Sequence, residues 1–135
     1  MMKYIAAYAA AFVTLLVMDA VWIGFVASGF YNRGIGHLMA ASPNLVAALL
    51  FYALYPLGLL IFAVAPTRGQ AGWPATAARA AAFGFFAYST YDLSNLATLR
   101  DWPVMVSVID VLWGCCVSAV SATAGKLALA RVAGS

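Results

Sequence analysis

Four apolar runs, each near the length of a bilayer-spanning helix, make up most of this chain; they lie at about 4–26, 44–64, 75–97 and 103–127. Roughly 20 apolar residues cross the hydrocarbon core of a membrane, at ~1.5 Å per helical residue. Inside hydrocarbon every backbone N–H and C=O must be satisfied within the protein, which leaves helices or a closed barrel. Strand alternation is absent, and a barrel needs many more strands. The runs therefore predict an all-α fold, an integral membrane four-helix bundle forming a single domain over residues 1–135.

Composition closes off the soluble alternative. The chain is 66% hydrophobic and 8% charged, against about 25% charged residues in a soluble domain. It could not cover a water-facing surface. The net charge of +3 is small and its basic residues are scattered, so nucleic acid is not an expected partner and membrane lipids are. Lys3 before an apolar run imitates a secretory signal, but the run exceeds the ~7–15 residues of a signal core. It is expected to stay as the first span.

The connections set the topology. Ser28–Pro43 is polar, with room for a short interfacial helix near Ile35–Ala41; Pro66–Pro74 is rich in Pro and Gly. Thr98–Trp102 is tight, so the third and fourth spans should be antiparallel neighbours. Lys3, Arg68, Arg79, Lys126 and Arg131 fall on one side, Arg33 and Arg100 on the other. The positive-inside rule then places both termini in the cytoplasm.

Three of the four acidic residues, Asp19, Asp92 and Asp110, lie inside these runs. A carboxyl at membrane depth is expensive unless it is neutralised, paired or wetted, and by default it marks a site. Asp19 and Asp110 fall roughly 10 Å from the outer ends of their helices and Asp92 roughly 8 Å. Tyr52 and Tyr55 of the second span fall at roughly 12 and 16 Å. Four helices running in alternating directions thus bring their polar residues to one level in the outer half. Faces agree as well, since residues at i, i+3, i+4 and i+7 share a side. Gly84, Tyr88, Tyr91, Asp92 and Asn95 form one stripe, and Asp110, Trp113, Gly114, Ser118 and Ala122 another. Asp19 and Trp22 are three apart, as are Tyr52 and Tyr55. The small residues spaced by four along the last span allow close helix approach.

The order of motifs is mirrored along the chain. Val-Met-Asp-Ala-Val-Trp (17–22) is echoed by Val-Ile-Asp-Val-Leu-Trp (108–113), and Tyr-Ala-Leu-Tyr-Pro-Leu (52–57) by Tyr-Ser-Thr-Tyr-Asp-Leu (88–93). Such an arrangement fits a pseudo-symmetric cavity.

Asp-Ala-Val-Trp-Ile-Gly (19–24), Phe-Tyr-Ala-Leu-Tyr-Pro-Leu-Gly (51–58), Tyr-Ser-Thr-Tyr-Asp-Leu-Ser-Asn (88–95) and Asp-Val-Leu-Trp-Gly (110–114) also carry a resemblance. Across nearly its whole length the chain is similar to a bacterial family of small predicted inner-membrane proteins, known only as a domain of unknown function. Ser94 stands where the family pattern has Thr, which keeps the hydroxyl. The resemblance implies a four-helix protein of the bacterial inner membrane and no particular activity. Relatives beside genes for fatty-acyl modification lean it towards lipid chemistry.

Several chemistries are absent. The chain has no dinucleotide fingerprint, P-loop or zinc-protease motif. His37 is its only histidine, which rules out bis-histidine haem ligation within one chain, and no lysine lies mid-span for a retinal. Cys115 and Cys116 are adjacent on a helix, point apart, and read as small core residues. No metal is expected, and no cofactor is identified. Trp73, Trp102, Phe30 and Tyr31 read as interface anchors, His37 as a solvated loop residue, and Asp101 as a surface partner of Arg100.

The candidate ligand-binding set is therefore Asp19, Trp22, Tyr52, Tyr55, Tyr88, Tyr91, Asp92, Asn95, Asp110 and Trp113. Like charges at one level cannot all ionise in low dielectric, so the acids share protons, pair with a cation or face water. Three readings follow. A small cationic or amphipathic ligand, or protons, would be bound or transported, with transport through so thin a wall calling for a homodimer. Alternatively a membrane-embedded enzyme would act on a lipid or fatty-acyl substrate, with Asp92 or Asp110 as acid and base. A scaffold subunit would use the same residues only to join helices.

Overall fold

The computed structural model describes residues 1–134 and contains only helices and turns among them. Helix α1 (Met2–Val21) runs on through a π-helical turn at Trp22–Val26. The chain then reverses at Ala27 into a short helix α2 (Ser28–Ile35), closed by a 3₁₀ turn at Gly36–Leu38. The interfacial helix expected near residues 35–41 thus forms one to two turns earlier. Helix α3 (Leu45–Leu59) starts on Asn44, whose side chain accepts from the Ala47 amide at 3.1 Å. Such a cap satisfies one of the amides left orphaned at a helix start. Pro56 withholds an amide inside α3, and four residues later the helix widens into a π-helical stretch, Leu60–Val64. Irregular turns of this kind are where helices absorb a missing backbone bond. Helix α4 (Pro74–Thr98) begins with proline, whose missing N–H is harmless in the first turn. Helix α5 (Val104–Gly134) is the longest.

Three helices are long and apolar enough to cross a membrane: Met2–Val26, Leu45–Thr67 and Val104–Gly134. The region expected as a third span is the 25-residue helix α4. Its length suffices, but Arg79, Asp92, Asn95 and a series of hydroxyls lower its hydropathy, and it does not join the other three. The fold therefore has five helices, three of them of spanning character, because the first loop folds into a helix of its own.

Packing follows the small residues. Helices α4 and α5 are close antiparallel neighbours, as their short connection requires. A Cβ at Gly84 would collide with the Gly114 carbonyl, and a Cβ at Gly114 would enter the Tyr88 ring. Only glycine lets these backbones meet. Along the other flank of α5, a Cβ at Gly125 would lie 3.0 Å from the Ala7 carbonyl of α1. Leu15, Leu59, Val64, Val117 and Ala122 fill the core between α1, α3 and α5, with Ala80 added from α4. Helix α3 leans on α1, where the Tyr8 hydroxyl donates to the Ala53 carbonyl at 2.8 Å. The outward faces stay apolar and exposed, with Leu49, Phe86 and Phe25 each more than two-thirds accessible.

The start of α1 and the last turns of α5 lie at one end of the bundle, where Lys126 is buried rather than reaching outward. Its ammonium donates to the carbonyls of Thr67 and Gln70, closing the α3–α4 connection. At the opposite end, Trp102 is buried too. It packs with Ile35 and Val106 and donates to the Ser107 hydroxyl at 3.0 Å, so it is a core residue and not an interface anchor. Asp101, at φ 59°, faces His37 at 3.7 Å and leaves Arg100 without a carboxylate among the described residues.

The glycine contacts give a direct test. Gly84→Ala should destabilise the bundle by about 1–3 kcal/mol, the usual penalty for overpacking. Gly24→Ala, with open space around its Cβ position, should be close to neutral. Unfolding in mixed micelles, followed by circular dichroism, reads both.

Candidate functional site

Every helix contributes to one cavity of about 660 Å³. Asp19, Trp22 and Ile23 enter from α1 and its π turn, and Tyr31, Asn32 and Ile35 from α2. Phe51, Tyr52 and Tyr55 come from α3, Tyr88 and Tyr91 from α4, and Asp110 and Trp113 from α5. Its volume lies within the ~300–1,000 Å³ range of small-molecule sites.

The polar network inside is built from aromatic donors and two carboxyls. Trp113 Nε1 donates to Asp19 Oδ1 at 3.0 Å, and the Tyr52 hydroxyl donates to Asp19 Oδ2 at 3.0 Å. The Tyr31 hydroxyl donates to Asp110 Oδ1 at 2.9 Å while accepting from Trp22 Nε1 at 3.2 Å. The two indoles stack face to face, 4.4 Å between centroids and 5° from parallel. The mirrored Asp-x-x-Trp motifs thus cross. The tryptophan of the second serves the aspartate of the first directly, and the tryptophan of the first reaches the aspartate of the second through Tyr31.

Below them Tyr55 shares a hydrogen bond of 2.7 Å with the Ser118 hydroxyl and meets Tyr88 edge-on at 6.0 Å. The Tyr88 hydroxyl lies amid Asp19, Asp110, Tyr52 and Tyr55, yet has no hydrogen-bond partner among the described residues. No Lys, Arg or His lines the cavity. Burial above all, reinforced by the negative charge of Asp110, pushes the Tyr31 hydroxyl up from its ordinary value; the Trp22 hydrogen bond opposes this only in part. Tyr31 therefore remains a donor at neutral pH.

Eight of the ten residues expected to form the site line this cavity: Asp19, Trp22, Tyr52, Tyr55, Tyr88, Tyr91, Asp110 and Trp113. Asp92 and Asn95 do not. Gly84, Tyr88 and Asp92 are spaced by four and follow the α4–α5 seam, so Asp92 is fully buried behind the wall. Neither of its carboxyl oxygens has a hydrogen-bond partner among the described residues. Asn95 lies one turn beyond Tyr91 on α4 and is half-buried outside the lining. Tyr31, read from the sequence as an interface anchor, lines the cavity instead. It reads as an interface anchor because its position depends on the chain reversing at Ala27, which no helical periodicity announces. Cys115 and Cys116 are free thiols, and with Cys115 half-buried and Cys116 exposed, Cys116 is not the core residue expected from the sequence. No group of three or more metal-binding side chains occurs among the described residues.

Hydrogen-bond occupancy separates structure from function here. Tyr52→Phe should destabilise the fold by about 0.6 kcal/mol, the mean for such bonds between membrane helices, and Trp113→Phe by more, because it also removes the indole stacked on Trp22. Tyr88→Phe removes an unpartnered hydroxyl and should leave unfolding unchanged. A loss for Tyr88→Phe equal to that for Tyr52→Phe would show that the Tyr88 hydroxyl is bonded in the membrane.

Residues 4–127 match the family described as predicted membrane protein (DUF2177), and the chain belongs to that family, whose function is unknown. No curated protein and no solved structure matches the chain.

Proposed function

We propose that this DUF2177 protein binds, and as a homodimer transports, a small cationic amphiphile in the acidic-aromatic cavity. The observation that carries this reading is the lining itself. It combines two carboxyls, stacked indoles and an unpartnered tyrosine hydroxyl with no basic side chain. An anionic group would meet Asp19 and Asp110 with nothing to offset the repulsion. A cation gains both carboxylates and the negative faces of the aromatic rings, an attraction that strengthens when the site is desolvated. A carboxylate offers about four acceptor positions. Asp19 uses two of these within the protein and Asp110 one, so both can still receive a donor.

In this reading α4 is a fourth membrane span. Its Phe85, Phe86 and Leu93 face outward together with Thr90, Ser94 and Thr98, whose exposed hydroxyls donate to carbonyls of their own helix, while Gly84, Tyr88 and Asp92 turn towards α5. The distribution of Lys and Arg supports an inner-membrane orientation with both termini in the cytoplasm. The cavity then lies in the outer half of the bilayer.

Proton relay is the second reading, and the Tyr31–Asp110 hydrogen bond at the cavity favours it. The enzymatic reading draws less support, because only Asp110 of its two candidate acids faces the cavity.

Native mass spectrometry of the gently solubilised protein with dodecyltrimethylammonium tests the proposal, beside the triple variant Asp19→Asn, Asp92→Asn, Asp110→Asn. Wild type should hold the cation, and the folded variant should bind it at least roughly tenfold more weakly, equivalent to about 1.4 kcal/mol. Equal binding by both would refute the acidic site. No binding by either would leave proton relay as the better account. The same spectra report whether the protein is a dimer.

A further inference from the structure

We infer that the cavity opens sideways into the hydrocarbon, between the outer halves of α3 and α4, and that its ligand is a single-chain amphiphile whose tail lies in this cleft. The inference rests on the proposed cation site and adds the route and the ligand's shape.

Helices α3 and α4 converge only towards the end that holds the termini. There Phe83 fills the space beside Gly58, where a Cβ would lie 2.9 Å from its ring. It also stacks on Phe62 at 5.6 Å and tilts against Tyr55 at 5.5 Å. The outermost link is the edge contact between Tyr55 and Tyr88. Beyond it, no hydrogen bond or ring contact joins the two helices among the described residues. Helix α3 is held to α1 instead, by Tyr8 on Ala53 and Tyr52 on Asp19.

The other sides are tied more closely. Helix α2 roofs the outer end, fixed by Tyr31 on Asp110 and by Ile35 against Trp102 and Val106. Helices α1 and α5 meet along one side, closed by the stacked indoles and Trp113 on Asp19. Helices α4 and α5 meet on another, at Gly84 and Gly114. The α3–α4 side has no such tie, and its rim residues Phe51 and Tyr91 line the cavity while being 38% and 56% exposed; Ile23 and Met39, also in the lining, are exposed at the outer end. Their exposed neighbours Leu50, Leu54 and Leu93 carry no charge. An apolar rim leading to two carboxyls fits a hydrocarbon tail outside and a cationic head within.

The test uses the fluorescence of Trp22 and Trp113 in a Trp73→Phe, Trp102→Phe chain. Bilayers are made of phosphatidylcholine brominated at mid-chain. Brominated chains should quench most of the emission, dodecyltrimethylammonium should restore it, and iodide from the aqueous side should have little effect. If the double variant fails to fold, the wild-type chain serves, with the change on adding dodecyltrimethylammonium as the readout. Strong iodide quenching with none from brominated lipid would overturn the sideways opening. If mass spectrometry still finds the cation bound, the site itself would stand with an aqueous entrance. Loss of cation binding in that measurement would remove the underlying reading, and this inference with it.

Discussion

The crossed pairing of two aspartates with two stacked tryptophans organises this molecule. Asp19 on α1 is held by Trp113 on α5, and Asp110 on α5 is held through Tyr31 by Trp22 at the end of α1. The indoles can lie face to face at 4.4 Å because the two motifs sit at matching positions on antiparallel helices. Offset by a turn, either tryptophan would miss its acid and leave a bare carboxyl in an apolar interior. The remaining helices arrange themselves around this pair. Tyr52 brings α3 to Asp19, and Tyr31 draws α2 over the top. Glycines at 84 and 114 let α4 close the side.

The same network explains how an apolar chain can afford acidic residues inside it. The donors to Asp19 and Asp110 are indole and phenol groups, each with a large apolar body and one polar edge, so they join the core and still satisfy oxygen. No lysine or arginine is spent on neutralisation. All the basic side chains lie away from the cavity, and Lys126 is occupied with loop carbonyls at the far end. The carboxyls are thus supported without being cancelled, which is the condition for receiving a cation from outside. Asp92 differs, being sealed behind the wall with neither carboxyl oxygen hydrogen-bonded among the described residues.

Much of this was legible in the chain itself. Apolar run lengths located the helices, and three-residue spacing put Asp19 with Trp22 and Asp110 with Trp113 on common faces. The every-fourth small residues located the α4–α5 seam. What escaped depended on events that break periodicity. Tyr31 reaches Asp110 only because a π-helical turn at Trp22–Val26 shifts the register and the chain then reverses at Ala27. Asp92 and Tyr91 are adjacent, about 100° apart around a helix of 3.6 residues per turn, so one faces the cavity and the other the seam. A stripe drawn loosely enough to hold both could not tell them apart. Trp102 and Lys126 read as boundary markers from composition, yet both are buried by partners distant in sequence. The low hydropathy of α4 comes from Asp92 on the seam and from the exposed Thr90, Ser94 and Thr98, whose hydroxyls donate to carbonyls of their own helix.

Charge selectivity at constant chain length tests the central claim most directly. Dodecylamine, dodecanol and dodecanoate share a tail and differ in the head. Their affinities can be measured at neutral pH by quenching the stacked tryptophans in nanodiscs. The account predicts that the ammonium binds most tightly, the alcohol more weakly and the carboxylate not measurably. Dodecanoate binding as well as the amine would contradict it, because a cavity that accepts an anion cannot be governed by Asp19 and Asp110.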